Sequence, residues 1–387
     1  MGGERISSAE EESSPEETST FLENDAHQRR RSLVYSQILQ SYDDVRIRTN
    51  ALEEAKSRIL SYTPGAWIEM SGGMKFSDYN VPETTSLILV GPKGSGKSSL
   101  INKISRVFED DKFAPERAQV SYNLSVGDGT YFLQEYMIPR GSTSFCLYDT
   151  RGLSDVSSDN MQMLKHWITK GVRHGELAIR NSDSPSIRAK MKCKARQSGY
   201  NSSKTRLVNF VIFVVNGLSV LKSIDSCESC DDGASQFYIQ MIAEMFCCPY
   251  LSFRDDMPVV VVTHGDLLSL SDRARVRVHL GEHLGISPGK QIFDIPESCG
   301  KATELTIIDM LRYSLEHADR NLPCKGWFLD KGRVVPLMAC IFLLIILWLS
   351  VASTRIYRVH MRRAHPKVHT DFPPEFHIDW HAIRHLW

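Results

Sequence analysis

Residues 91–99, "GPKGSGKSS", constrain the fold of this chain more than any other stretch. They match the pattern G-x-x-x-x-G-K-[ST]. The apolar run 86–90, "SLILV", comes just before, and 98–108, "SSLINKISRVF", follows with helical spacing. A glycine-rich turn between a buried strand and a helix is a cradle for phosphate. Gly91, Gly94 and Gly96 let the backbone wrap an anion, and the N–H groups from Lys93 to Ser98 face inward. Pro92, Ser95 and Ser99 complete the loop. Lys97 is placed to neutralise the β- and γ-phosphates, and Ser98 to offer its hydroxyl to Mg²⁺. The pattern says nothing about which base is bound.

Beyond the loop, apolar runs alternate with helical patterns. Strands are expected at 130–138 and 144–149, joined as a hairpin through "PRGST", and again at 209–215, 257–262 and 291–295. Helices are expected at "NMQMLKHWITKGV", 234–246, 272–284 and 304–318. Strands rich in Val and Ile, alternating with helices, indicate an α/β fold: a mostly parallel sheet between helix layers, with one antiparallel strand at an edge.

Two further motifs sit at strand ends. "LYDTRGL" (147–153) carries Asp149, placed to hold Mg²⁺ through water, and Gly152, whose N–H can approach a γ-phosphate. "VVVVTHGD" (259–266) ends a valine strand on Thr263, His264 and Asp266. Read alone, it is either a strand end with an incidental aspartate or a base-reading loop.

In order and placement, Gly91–Ser98, Asp149–Gly152 and Thr263–Asp266 resemble translation-factor-class P-loop GTPases. The chain looks most like the membrane-attached branch with immune-associated nucleotide-binding proteins and chloroplast import receptors, and closest to an uncharacterised plant P-loop family. The resemblance covers about residues 84–320 and implies a three-layer P-loop NTPase domain that binds GTP and Mg²⁺. It implies that Asp266 accepts from guanine N1–H and the 2-amine, a donor pair adenine lacks. Thr263 replaces an asparagine there, and His264 a lysine that covers the base. Ser298 and the Cys299 N–H, in "PESCG", match the loop on the base's other side. Thr130 matches the switch threonine that binds Mg²⁺ with triphosphate present, with Ser125 as a second candidate and 109–129 as the switch loop. Leu153 stands where many relatives carry a water-orienting glutamine. Arg151 is either an in-cis cation at the γ-phosphate or a solvent-facing arginine.

The chain has 387 residues, 42% hydrophobic and 24% charged, with zero formal net charge. That balance gives no reason to expect a nucleic-acid partner. Residues 1–28 are acidic and Ser/Thr-rich, and are expected to be disordered. Residues 29–62 read as one amphipathic helix, with Ile38, Val45, Leu52 and Ile59 on a face. The P-loop domain is then bounded at 63–322. Residues 173–206 form a basic insertion, either a solvated loop or a surface for an acidic partner or anionic lipid. Residues 334–354 are uncharged and long enough as a helix to cross a bilayer. A basic, His-rich tail, 355–387, follows, with His377, His381 and His385 four apart.

No secretory leader is expected, and "MGGERIS" misses the myristoylation pattern. Nine cysteines at irregular spacing fit a reducing compartment. Cys227 and Cys230 have zinc-ligand spacing without a second pair. The functional expectation is a single-pass, tail-anchor-like GTP-binding switch with slow hydrolysis. Its nucleotide domain would be cytosolic, on an organelle outer membrane or the endoplasmic reticulum, and could dimerise through its nucleotide face. The alternatives are a non-hydrolysing membrane scaffold and an ATPase.

Overall fold

In the computed structural model the described residues are 15–68, 75–109, 115–120, 130–197, 204–229, 233–253, 256–325 and 342–357. The chain divides into two compact units, Met1–Cys324 and Lys325–Trp387.

In the first unit, helix α1 (Pro15–Ile47) leads through a 3-10 turn (Arg48–Ala51) into α2 (Leu52–Leu60). The single helix expected over 29–62 is therefore broken. Its N-terminal part also reaches back to Pro15, inside the acidic stretch expected to be disordered; residues 1–14 lie outside the described residues. The break lets two faces dock on two surfaces. Ile38 packs with Ala274 and Val278, while Leu52 and Ile59 join the main core.

The sheet is built from β1 (Thr85–Val90), β2 (Gln134–Ile138), β3 (Phe145–Asp149), β4 (Phe210–Asn216), β5 (Val259–Thr263) and β6 (Ile292–Asp294). The strand order is β2-β3-β1-β4-β5-β6. Every pairing is parallel except β2 with β3, the hairpin read from "PRGST". Between the strands run α3 (Lys97–Phe108), α4 (Ser157–Lys170), α5 (Pro185–Gln197), α6 (Gly217–Ser229), α7 (Gly233–Phe246) and α8 (Leu270–Leu284); α9 (Lys301–Arg320) closes the domain.

Both faces of β1, β3 and β5 are buried, because side chains alternate along each strand and helices cover each side. Ile88, Val90, Val211 and Phe213 face a core with Trp167 of α4, Val220 of α6, Phe246 of α7 and Val276 of α8. Leu87, Leu89, Phe210 and Ile212 face the opposite core with Ile101 and Ile104 of α3, Leu52 of α2 and Leu311 of α9. This is the three-layer α/β arrangement expected from the runs of Val and Ile. At the far edge, the Asp319 carboxylate accepts from Tyr62 O–H at 2.8 Å and from the Gly65 and Trp67 N–H groups at 2.9 and 3.0 Å. Those bonds tie the segment after α2 to α9.

Two elements were not legible as such in the sequence. The basic insertion contains α5, and residues 217–229 form α6. The switch positions 110–114 and 121–129, Ser125 among them, lie outside the described residues. So do Cys230, the Cys227 side chain and the tail histidines.

In the second unit, residues 342–357 are helical and 326–341 lie outside the described residues. Among the described residues no helix is long and apolar enough to cross a membrane. The expected span 334–354 is thus seen only over its second part.

Candidate functional site

The phosphate loop emerges from β1 at the C-terminal edge of the parallel strands, where α/β sheets place their ligands. Gly91 is required by close approach: a Cβ there would lie 2.0 Å from the Val214 carbonyl oxygen of β4. Gly96 has φ 85° and stands at the N-cap of α3 with no side-chain cap. The first-turn N–H groups of α3 are therefore left to serve an anion. The Ser95 hydroxyl is buried inside the loop without a hydrogen-bond partner.

Lys97 is buried, and its ammonium donates to the carbonyls of Gly91 at 3.1 Å and Pro92 at 3.0 Å. Burial pulls its pKa down to about 8; Asp149 opposes that shift and Arg180 adds to it. The Ser98 hydroxyl donates to Asp149 Oδ2 at 2.6 Å, and Thr130 Oγ1 donates to the same oxygen at 3.4 Å. Burial pushes the Asp149 carboxyl up, against the Ser98 hydrogen bond and the Lys97 charge. Asp149 Oδ1 is buried with no partner. Two hydroxyls and a carboxylate with one open oxygen are the hard oxygen donors Mg²⁺ takes. Ser98, Thr130 and Asp149, distant in sequence, are thus brought together.

The segment after Asp149 lies across the phosphate loop. Leu153 donates its N–H to the Gly91 carbonyl at 2.9 Å, and its own carbonyl accepts from Lys93 N–H at 3.3 Å. A Cβ on Gly152 would stand 2.6 Å from Lys93 Cα, so only glycine permits this approach. Leu153 itself is buried.

Arg151 is neither a free cation nor turned to solvent. Its guanidinium forms a bidentate pair with Asp183, both contacts at 2.6 Å, and donates to the Ala178 carbonyl at 2.8 Å. Burial alone would raise the Asp183 pKa; the Arg151 hydrogen bonds override it and hold the carboxyl below the usual range. The guanidinium that reaches Gly152 is that of Arg180, which donates to the Gly152 carbonyl. The basic insertion is accordingly not a plain solvated loop. Arg188 caps the carbonyls of Arg180 and Asn181, Lys204 pairs with Glu83 and Arg206 with Glu135.

At the end of β5, Thr263 is buried, and its hydroxyl is within donating distance of the Ser95 carbonyl (2.8 Å) and the Val215 carbonyl (3.1 Å). It locks the end of β5 to the loop 91–99. His264 adopts φ 59° and its Nδ1 lies 2.8 Å from the Thr263 hydroxyl. Asp266 is exposed and accepts the Glu297 N–H through Oδ1 at 2.9 Å. Thr263, His264, Gly96, Ser99, Leu100, Lys103, Ile295 and Glu297 line a small cavity between α3 and this loop. Lys103 was missed in the sequence. Its ammonium donates to the Pro296 carbonyl at 2.6 Å and pairs with Glu297 at 3.0 Å, fixing the far wall. Ser298 and Cys299 instead line a separate groove of about 730 Å³ between α1, α8 and α9.

The sheet order, the glycine-rich loop after β1 and the Ser98–Thr130–Asp149 cluster define an α/β domain with a P-loop between its first strand and α3. No protein-family model matches the chain. No curated protein matches it either. Among solved structures it is similar to a probable GTP-binding protein engB, at 14% identity and TM-score 0.31 over 61% of this chain and 99% of the other. It is also similar to the Arl6 BBS3 small GTPase from Trypanosoma brucei with a bound GppNp analogue, at 12% identity and TM-score 0.29 over 62% and 99%. A third likeness is to the signal recognition particle receptor SRb-GTP/SRX complex from Chaetomium thermophilum, at 14% identity and TM-score 0.28 over 52% and 78%. At these scores the class rests on the chain's own geometry.

Proposed function

We propose that this chain is a membrane-anchored GTP-binding protein that slowly hydrolyses GTP with Mg²⁺. The observation that carries the reading is the convergence of buried Lys97 and Asp149 with half-buried Ser98 and Thr130, with one Asp149 oxygen open, beside an uncapped helix N-terminus. The loop N–H groups and Lys97 bind the phosphates. Ser98, Thr130 and Asp149 hold Mg²⁺, which when bound neutralises charge on the β- and γ-phosphates. Asp266, three residues beyond the end of β5, selects guanine, with His264 against the base. Residues 334–354 supply the anchor, and the exposed side of 173–206 is a surface for an acidic partner or anionic lipid.

A titration of GTP, GDP and ATP against wild type, Lys97→Ala and Asp266→Ala tests this reading. Wild type should prefer GTP over ATP by on the order of a hundredfold, since an unpaired carboxylate facing adenine costs a few kcal/mol. Asp266→Ala should erase the preference, and Lys97→Ala should weaken both triphosphates. Tighter ATP than GTP binding would sink the guanine assignment. A second reading, a scaffold that holds GTP without cleaving it, is favoured by Leu153, which is buried, apolar and unable to orient water. Single-turnover hydrolysis separates the two.

A further inference from the structure

We propose that Arg180 is an arginine supplied in cis to the phosphate site, where its guanidinium meets the terminal phosphate of bound GTP and takes up charge as that phosphate passes to water. The inference rests on the GTP reading and adds to it a residue from the basic insertion, outside every nucleotide motif.

Arg180 is presented by a built turn. The buried Asp159 carboxylate, on α4, accepts the N–H groups of Asn181 at 3.2 Å and Ser182 at 3.0 Å. Asp183 accepts the Arg180 N–H at 2.7 Å while holding Arg151. Arg188 donates to the Arg180 and Asn181 carbonyls from the other side. Three charged side chains thus fix the backbone from which Arg180 projects. Its guanidinium ends on the Gly152 carbonyl, and Gly152 is the residue pressed against Lys93 of the phosphate loop. The cation stands at the seam between the loop and the segment that follows Asp149. Its charge is felt by the Lys97 ammonium.

The arrangement is electrostatically incomplete. Of the three carboxylates that act on Arg180, Asp183 is held in a bidentate pair by Arg151, Asp159 accepts the Asn181 and Ser182 N–H groups, and Asp155 acts only through its charge. Arg180 Nε is buried with no hydrogen-bond partner. A desolvated guanidinium left partly unpaired carries a cost that an arriving polyphosphate relieves. Leu153 cannot hydrogen-bond the attacking water, so the contribution open to the chain's own side chains is to offset charge on the transferring phosphate. In the transfer, a bond forms from the water oxygen to the γ-phosphorus as the bond to the β–γ bridging oxygen breaks. The bridging oxygen leaves on GDP with the electron pair, and the water's protons pass to phosphate and solvent. Arg180 gives up no proton; it offsets charge that develops on the transferring oxygens.

The test uses the full chain as wild type, Arg180→Ala and Arg180→Lys. Single-turnover GTP hydrolysis is measured beside GDP binding with and without aluminium fluoride, a mimic of the transferring phosphate. Arg180→Ala should slow hydrolysis at least about tenfold and abolish the tightening of GDP by aluminium fluoride, with GDP affinity alone little changed. Arg180→Lys should recover part of both, and it serves as the probe where the alanine variant does not fold. Hydrolysis and aluminium fluoride binding at wild-type levels in either variant overturn the proposal. So does a loss of GDP affinity as large as the loss of rate, which marks a structural brace. A wild type that binds GTP and never cleaves it overturns the role of Arg180 and leaves the nucleotide reading intact. A wild type that binds no guanine nucleotide removes the nucleotide reading itself.

Discussion

Thr263 shows how one residue carries a different duty from the one its motif position implies. Its hydroxyl joins the end of β5 to the Ser95 carbonyl of the phosphate loop, so two parts of the proposed site share one bond. Gly96 permits the contact, since the position where its Cβ would stand is 3.3 Å from the threonine side chain. Thr263→Val keeps the volume and removes the donor. Denaturant unfolding should show a loss of about 1–2 kcal/mol, and GTP and ATP affinity should fall together. A selective loss of GTP would instead mean that Thr263 contacts the base. The motif residues Lys97, Ser98 and Asp149 were legible because their spacing to strand and helix is itself the signal. Arg180 was not, because nothing local distinguishes it from the other eight cations of the insertion.

Among the elements, α1 and α8 show a packing with a pH signature. Ile38 of α1 meets Ala274 and Val278 of α8, and Arg31 pairs with Glu282 at 3.4 Å. His279 of α8 lies with its ring centroid 4.2 Å from that of His283. Burial pulls the His279 pKa down from 6.5 to about 4, with His283, Arg31 and Arg275 adding to the shift. The folded state therefore binds fewer protons than the unfolded chain between those values. The contribution is whole above pH 6.5 and is lost as pH falls towards 4. The melting temperature should drop over that window, and His279→Gln should flatten the drop; an unchanged profile would remove His279 as its source. The periodicity of 29–62 was readable as a helix. The break at Arg48–Ala51 was not, because it exists to serve two docking surfaces that only the folded domain provides.

For the whole molecule, the nucleotide domain and the C-terminal unit pose separate questions. The stretch 334–354 is uncharged, and its second part is helical. Full-length protein expressed in cells should stay in the membrane pellet after alkaline carbonate extraction, and a chain lacking 334–354 should move to the supernatant. Recovery of full-length protein in the supernatant would remove the anchor from the functional reading.

The sequence by itself determined the sheet and the phosphate loop. Strand periodicity, glycine freedom and the strand–loop–helix order are local properties that physics expresses the same way in any context. It also placed Asp149 and Asp266 at strand ends, and so at one edge of the sheet. The tertiary structure decided which charges meet there. Arg151 was given to Asp183, Arg180 to Gly152 and Lys103 to Glu297. Those pairings join residues 28 to 194 positions apart, and they depend on where each backbone passes. The reason is range: a dihedral preference acts within a few residues, whereas a buried ion pair acts only between side chains the fold has already brought within hydrogen-bond distance.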